Sequence, residues 1–117
     1  MNTAYSTDLA DIDWEGFDPL LKRKVLHGSN MTVSRYSFKG GGRFGHHVHG
    51  QEQITYVLSG ELTFTLGRER HVLKAGSIIV IPPDVPHSAE AGADGAEVIS
   101  VVSPARVDGR GIEMLPE

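Results

Sequence analysis

Two imidazoles spaced two residues apart, His47 and His49, constrain this chain more than any other feature. They lie in the stretch GGRFGHHVHGQEQITYVLSG, from Gly41 to Gly60. Alternate residues of a strand project to one face, so an extended backbone sets the two rings side by side, their bases about 6–7 Å apart. That gap suits two ring nitrogens that each sit about 2.1 Å from a shared ion. Gln53 follows His49 by an even step, and if the chain stays extended its amide oxygen leans toward the same face. His46 is adjacent to His47 and points the other way, which removes it from the ligand set. Histidines also gather on solvated surfaces, and the cluster by itself leaves both readings open.

A second segment adds weight to the metal reading. From Gly76 to His87 the chain reads GSIIVIPPDVPH. A glycine turn precedes an apolar strand from Ile78 to Ile81, and a turn stiffened by Pro82, Pro83 and Pro86 then delivers His87 from a different strand. The fixed φ of the prolines lowers the entropy lost when that imidazole is held in place. For His87 alone, a core histidine satisfied by backbone groups is the plain alternative.

Together these segments resemble the two sequence motifs of the cupin superfamily. Gly41, His47, His49 and Gly60 match the first, with Gln53 where that family has glutamate; Gly76, Pro82 and His87 match the second, with Asp84 in place of a glycine and Ala91 in place of an asparagine. The resemblance implies an all-β fold, an antiparallel double-stranded β-helix or jelly-roll barrel in a single domain. Residues 1–20 would be an N-terminal arm, 21–104 the cupin domain and 105–117 a C-terminal tail. It also implies that His47, His49, Gln53 and His87 hold one divalent transition metal ion, with Ni, Fe, Mn, Zn and Co all compatible with mixed nitrogen and oxygen ligands.

Composition agrees and narrows the setting. A chain of 117 residues is the size of one domain. With no cysteine it needs no disulfide framework and offers no thiolate nucleophile or ligand. Its polar, acidic start shows neither a signal peptide nor a membrane span, so a cytoplasmic setting is expected. The net charge of −4, with basic residues scattered rather than blocked, argues against nucleic acid or an anionic membrane and leaves a small molecule as the expected partner.

Along the chain, Trp14 and Phe17 of the arm are expected to cover apolar surface on this subunit or a neighbour. Lys22 to Leu26 reads as a strand and Met31 to Phe38 as another, alternating so that Thr32, Ser34, Tyr36 and Phe38 share a face; the pattern does not say which face is inside. In the segment from Gln53, Thr55 and Val57 face with Gln53, while Ile54, Tyr56 and Leu58 face oppositely. Apolar residues on both faces predict a partner subunit outside, and a homodimer is expected. Ser59 and Gly60 are expected to close a tight hairpin. Ala89 to Ala96 reads as a small-residue loop, Glu97 to Ser103 as the last strand, and the tail as an unpaired surface segment.

At a finer grain, the chain is similar to small cupins of pectin and alginate breakdown that open 4,5-unsaturated uronates. Those proteins place a metal-binding glutamine where Gln53 stands and end in a strand like Val98, Ile99, Val101, Ser103, Pro104, Arg106 and Asp108. Two departures stand out: Ser100 replaces the aspartate thought to move a proton, and Val102 replaces a phenylalanine. A serine is no general base near neutral pH without a neighbour that activates it. The same motifs resemble cupins that serve as polyketide cyclases. Three neutral imidazoles and a neutral amide would leave the ion's charge uncompensated, which favours carbonyl or hydroxyl activation. The expected function is therefore a metal-dependent isomerase, cyclase or lyase on a small carbonyl compound, with Arg106, Tyr36 and Ser100 as catalytic candidates. Arg106 either holds a substrate carboxylate or forms a surface ion pair with Asp108. A ferrous dioxygenase and a non-catalytic metabolite or sugar binder are the alternatives.

Overall fold

Period-two alternation becomes antiparallel sheet throughout the computed structural model, which describes residues 3–106 and 111–117. The described strands are β1 (Glu15–Asp18), β2 (Leu21–His27), β3 (Thr32–Phe38), β4 (Arg43–His49), β5 (Glu52–Leu66), β6 (Glu69–Lys74), β7 (Ile78–Ile81), β8 (His87–Ser103) and β9 (Ile112–Met114). They pair in the order β1-β2-β3-β8-β4-β9, and β5 joins β6, β7 and β8. Because β5 and β8 are long, each changes neighbours along its length. The sheet thereby curls into the antiparallel jelly-roll barrel anticipated from the motifs.

The interior is built from cross-strand rows. Thr32, Ser34, Tyr36 and Phe38 turn out to face inward, buried alternately with their half-buried neighbours. One row across three strands runs Ser34, Ser100, Thr55, and the next runs Thr32, Val102, Gln53. Leu62, Phe64, Val57 and Ile81 fill the barrel, and burial of each such side chain contributes about 1.5–3 kcal/mol. Ile54, Tyr56, Ile78 and Val80 lie on the outer face of β5 and β7 and remain exposed.

Three sequence expectations are corrected. Ser59 and Gly60 close no hairpin: β5 runs through them, bulging where the register against β8 shifts at Val57/Ser59 and Gly60/Leu62. The stretch from Ala89 to Ala96 is strand, the middle of β8, rather than loop. Both errors have one cause. Gly60 has φ +78° and a Cβ there would collide with the Gly95 carbonyl, while one at Gly95 would collide with the Phe38 carbonyl. Small residues let backbones cross closely at the bend, and that composition reads locally as a turn. The tail, finally, is partly strand: β9 pairs with β4, placing Met114 opposite His47 and Ile112 opposite His49.

The arm packs on its own chain. Phe17 lies on Phe44 with ring centroids 4.6 Å apart, and the ammonium groups of Lys22 and Lys24 sit over the Trp14 ring at 4.4 and 4.8 Å. Part of the arm is itself sheet, since β1 pairs with β2 and sets Glu15 opposite Arg23.

Candidate metal centre

His47 and His49 project inward from β4, and His87 opens β8 directly opposite His47. All three rings are almost completely buried. Their centroids are 4.2 Å (His47 to His87), 5.0 Å (His49 to His87) and 5.6 Å (His47 to His49) apart, and one nitrogen from each falls within 4.8 Å of the others. In every ring Nδ1 lies against a backbone carbonyl: Gly45 for His47 at 2.6 Å, Gln51 for His49 at 3.0 Å, Val85 for His87 at 2.8 Å. Nδ1–H donates in each case, which assigns the tautomer and leaves an Nε2 lone pair for the interior. Among the described residues, Nε2 of His87 has no hydrogen-bond partner.

Electrostatics favours the same state. Burial, above all, holds His47 down to about 3 and His87 down to about 4, and lowers His49; the nearby Arg106 charge adds to all three. Neutral imidazoles are what metal ligation needs.

Gln53 reaches the cluster by a different path from the expected one. The chain does not stay extended after His49: β4 ends there, bends at Gly50 and Gln51, and β5 pairs with β7 and β8 instead of continuing β4. Even so, Gln53 Oε1 stands 3.0 Å from His49 Nε2. With Nδ1 protonated, both atoms are acceptors. Two acceptors at that spacing match adjacent ligands at right angles on an ion with bonds of about 2.1 Å. The reverse amide orientation would pair them without an ion, but would turn the amide oxygen away from the rings. The orientation is held from behind: Gln53 Nε2 donates to Thr55 Oγ1 at 2.9 Å, and Thr55 Oγ1 lies 2.7 Å from Ser100 Oγ. This donor set fits a divalent ion.

The catalytic candidates converge on the same space. Tyr36, Ser100 and Arg106 line one interior pocket with His47, Gln53 and His87. Its free volume of about 30 Å³ has room for a few atoms beside the rings. An outer pocket of about 320 Å³ adjoins it, and Ser34 and Arg106 line both. Arg106 is 7% exposed, and Asp108, its expected partner in an ion pair, lies outside the described residues. Sequence reasoning passed over Thr55 as a positioning group and Arg23 as a pocket residue. Strand alternation with Gln53 held the signal for the first, whereas three consecutive basic residues masked the second.

The motif's turn positions also explain themselves. Gly41, Gly60 and Gly76 all have positive φ, and Asp84, where the second motif has glycine, adopts φ +63°. Its N–H donates to the His49 carbonyl at 3.0 Å, which ties the proline turn to the histidine strand.

Comparison with known proteins agrees with this architecture. A family model for the cupin domain matches residues 34–102. An uncharacterised protein of Streptomyces coelicolor is 29% identical over 81 residues, 69% of this chain and 77% of that protein. Among solved structures, KdgF from Halomonas sp. superposes with a TM-score of 0.84 at 28% identity, covering 92% of this chain and 99% of its own. An RmlC-like cupin from Shewanella frigidimarina superposes at 0.83 with 28% identity, covering 92% and 96%.

Proposed function

The chain belongs to the cupin domain family, and on that premise we propose that it is a metal-dependent enzyme, an isomerase, cyclase or lyase acting on a small carbonyl-containing acid. The observation that carries the proposal is the 3.0 Å approach of two acceptors, His49 Nε2 and Gln53 Oε1, beside the unpartnered Nε2 of His87. A divalent ion held by His47, His49, Gln53 and His87 would supply Lewis acidity with its charge undiminished by ligands.

The other residues bind and orient. Thr55 accepts from the Gln53 amide and shares one hydrogen bond with Ser100, in which either hydroxyl can donate, so Ser100 keeps hydrogen-bonding capacity for the pocket. Ser100 therefore holds a substrate oxygen and does not act as the base. Arg106 binds the carboxylate, and Tyr36, whose hydroxyl lies beside that guanidinium, is the proton-transfer candidate. The charged lining of the outer pocket favours a sugar acid over an apolar polyketide, in line with the likeness to the uronate-opening cupins. We place the active unit in the cytoplasm as a homodimer joined through Ile54, Tyr56, Ile78 and Val80.

The test combines elemental analysis of the purified protein with NMR of a 4,5-unsaturated uronate. One divalent ion per chain and metal-dependent conversion to the linear ketone are expected. Conversion that persists after complete metal removal overturns the proposal, as does a protein that takes up no divalent ion.

A further inference from the structure

The outer pocket holds a charge arrangement that the metal centre does not explain. Arg106 is buried, forms no ion pair with any described residue, and leaves Nε and Nη2 without hydrogen-bond partners among the described residues. These are the two donors on one edge of the guanidinium, parallel and spaced to meet both oxygens of a carboxylate. A buried cation without a counter-charge costs several kcal/mol, and among the described residues none stands at this fork, so it has the form of an anion site. Arg23 lines the same pocket, its like charge repels that of Arg106, and its own Nε also lacks a hydrogen bond among the described residues.

One anion already stands at the rim. Glu15 Oε1 lies 3.5 Å from Arg23 Nε, too far for a hydrogen bond, and its side chain is half exposed. The position is imposed from the opposite face of β2. Lys22 and Lys24 point away from Arg23 and clasp Trp14, and Lys24 Nζ donates to the Leu9 carbonyl at 2.7 Å, so the arm is registered with Glu15 across from Arg23.

We propose that Arg23 and Arg106 clamp the carboxylate of a small acid in the outer pocket, and that Glu15 is a resident carboxylate which the acid displaces from Arg23. This deepens the function proposed above and rests on it for the purpose of the clamp, although binding of the acid needs no metal. Ser34 lines the same pocket and supplies a hydroxyl for the rest of a polyhydroxy acid, whereas the Thr32 hydroxyl is taken up by the Arg106 backbone N–H and the His27 ring. Nε of Arg106 is the innermost marker of occupancy, because Arg106 also borders the pocket of the imidazoles.

Galacturonate, an unreactive saturated acid, is the probe, with galactose as its neutral counterpart and inorganic phosphate as the competing oxyanion. Titration of the as-isolated protein, followed by NMR of the arginine Nε–H groups and by calorimetry, is expected to shift Arg23 and Arg106 with galacturonate and neither with galactose. Arg23→Gln and Arg106→Lys each weaken binding by about tenfold or more, the second because a lysine keeps the charge and loses the fork. Glu15→Gln tightens it severalfold by removing the competitor. Should the Arg106 variant fail to fold, the wild-type Nε–H shifts carry the test. Equal binding of galactose, unmoved arginine signals, or weaker binding in Glu15→Gln overturns the clamp; tighter binding of phosphate than of galacturonate overturns its assignment to a carboxylate. Repeating the titration after chelation separates the two proposals, since the clamp persists if no metal is ever found, and metal uptake persists if the clamp fails.

Discussion

His47 and His87 face each other as register partners across β4 and β8, with ring centroids 4.2 Å apart, so that one ladder of backbone hydrogen bonds fixes the spacing of two ligands 40 residues apart in sequence. The rings are preorganised by sheet geometry. Loss of either should therefore cost the ion its site without dismantling the barrel. His87→Ala is expected to lower divalent-ion affinity at least about 100-fold, read by calorimetry with Ni or Mn, while far-ultraviolet circular dichroism stays unchanged.

The hydroxyl pair behind Gln53 should matter for the same site at longer range. Thr55 is fully buried, and Thr55→Val keeps its shape while stranding the Gln53 amide N–H and the Ser100 hydroxyl. A stability loss of about 1–3 kcal/mol is expected in urea unfolding. Ion affinity should fall about tenfold, as is usual when a ligand loses its orienting partner. An unchanged affinity would show that Thr55 does not position Gln53.

Acid should unfold the metal-free protein in a defined window. His47 and His87 titrate at about 3 and about 4 in the fold, against roughly 6.5 for an unfolded chain. As pH falls below about 6.5 the unfolded state takes up protons that the folded state refuses. Stability is therefore complete above that pH and declines until the folded rings protonate near 4 and then 3. The slope of unfolding free energy against pH, measured by urea titration from pH 7 to 4, should be positive and should flatten in His47→Asn.

Asp84 gives a sharper conformational test. At φ +63° glycine is free of strain and a β-branched residue is not. Asp84→Val should lose about 1–2 kcal/mol, and Asp84→Gly should stay within about 0.5 kcal/mol of the parent, both read as melting temperature.

The exposed apolar strip on β5 and β7 predicts association. Sedimentation should give a dimer, and Tyr56→Lys with Val80→Lys should return a monomer that keeps its ion. A parent protein that sediments as a monomer would exclude that interface.

How far the chain could be read without coordinates differs by residue. His47, His49 and His87 were legible because a period of two and a proline turn act locally, and the residues that share a face on β3 and β5 followed from alternation, although which face is inside did not. Gln53 stands beside His49 by a route other than the expected one, since a bend at Gly50 and Gln51 replaced the assumed extension. The continuity of β5 and β8 was hidden because a glycine at a bulge and a glycine in a hairpin are the same letter, and only the partner strand tells them apart. Pairing of β9 with β4 joins segments more than sixty residues apart, a contact no local pattern encodes. Burial of Arg106 runs against its charge and had no signal at all.

The pairing of β9 with β4 carries a consequence for biogenesis. On the ribosome, the strand bearing His47 and His49 emerges long before residues 112–114, so its outer edge stays open to stray pairing through most of synthesis. Closure of that edge is thereby tied to a late folding event, and nascent chains stalled before that segment should be the species that aggregates.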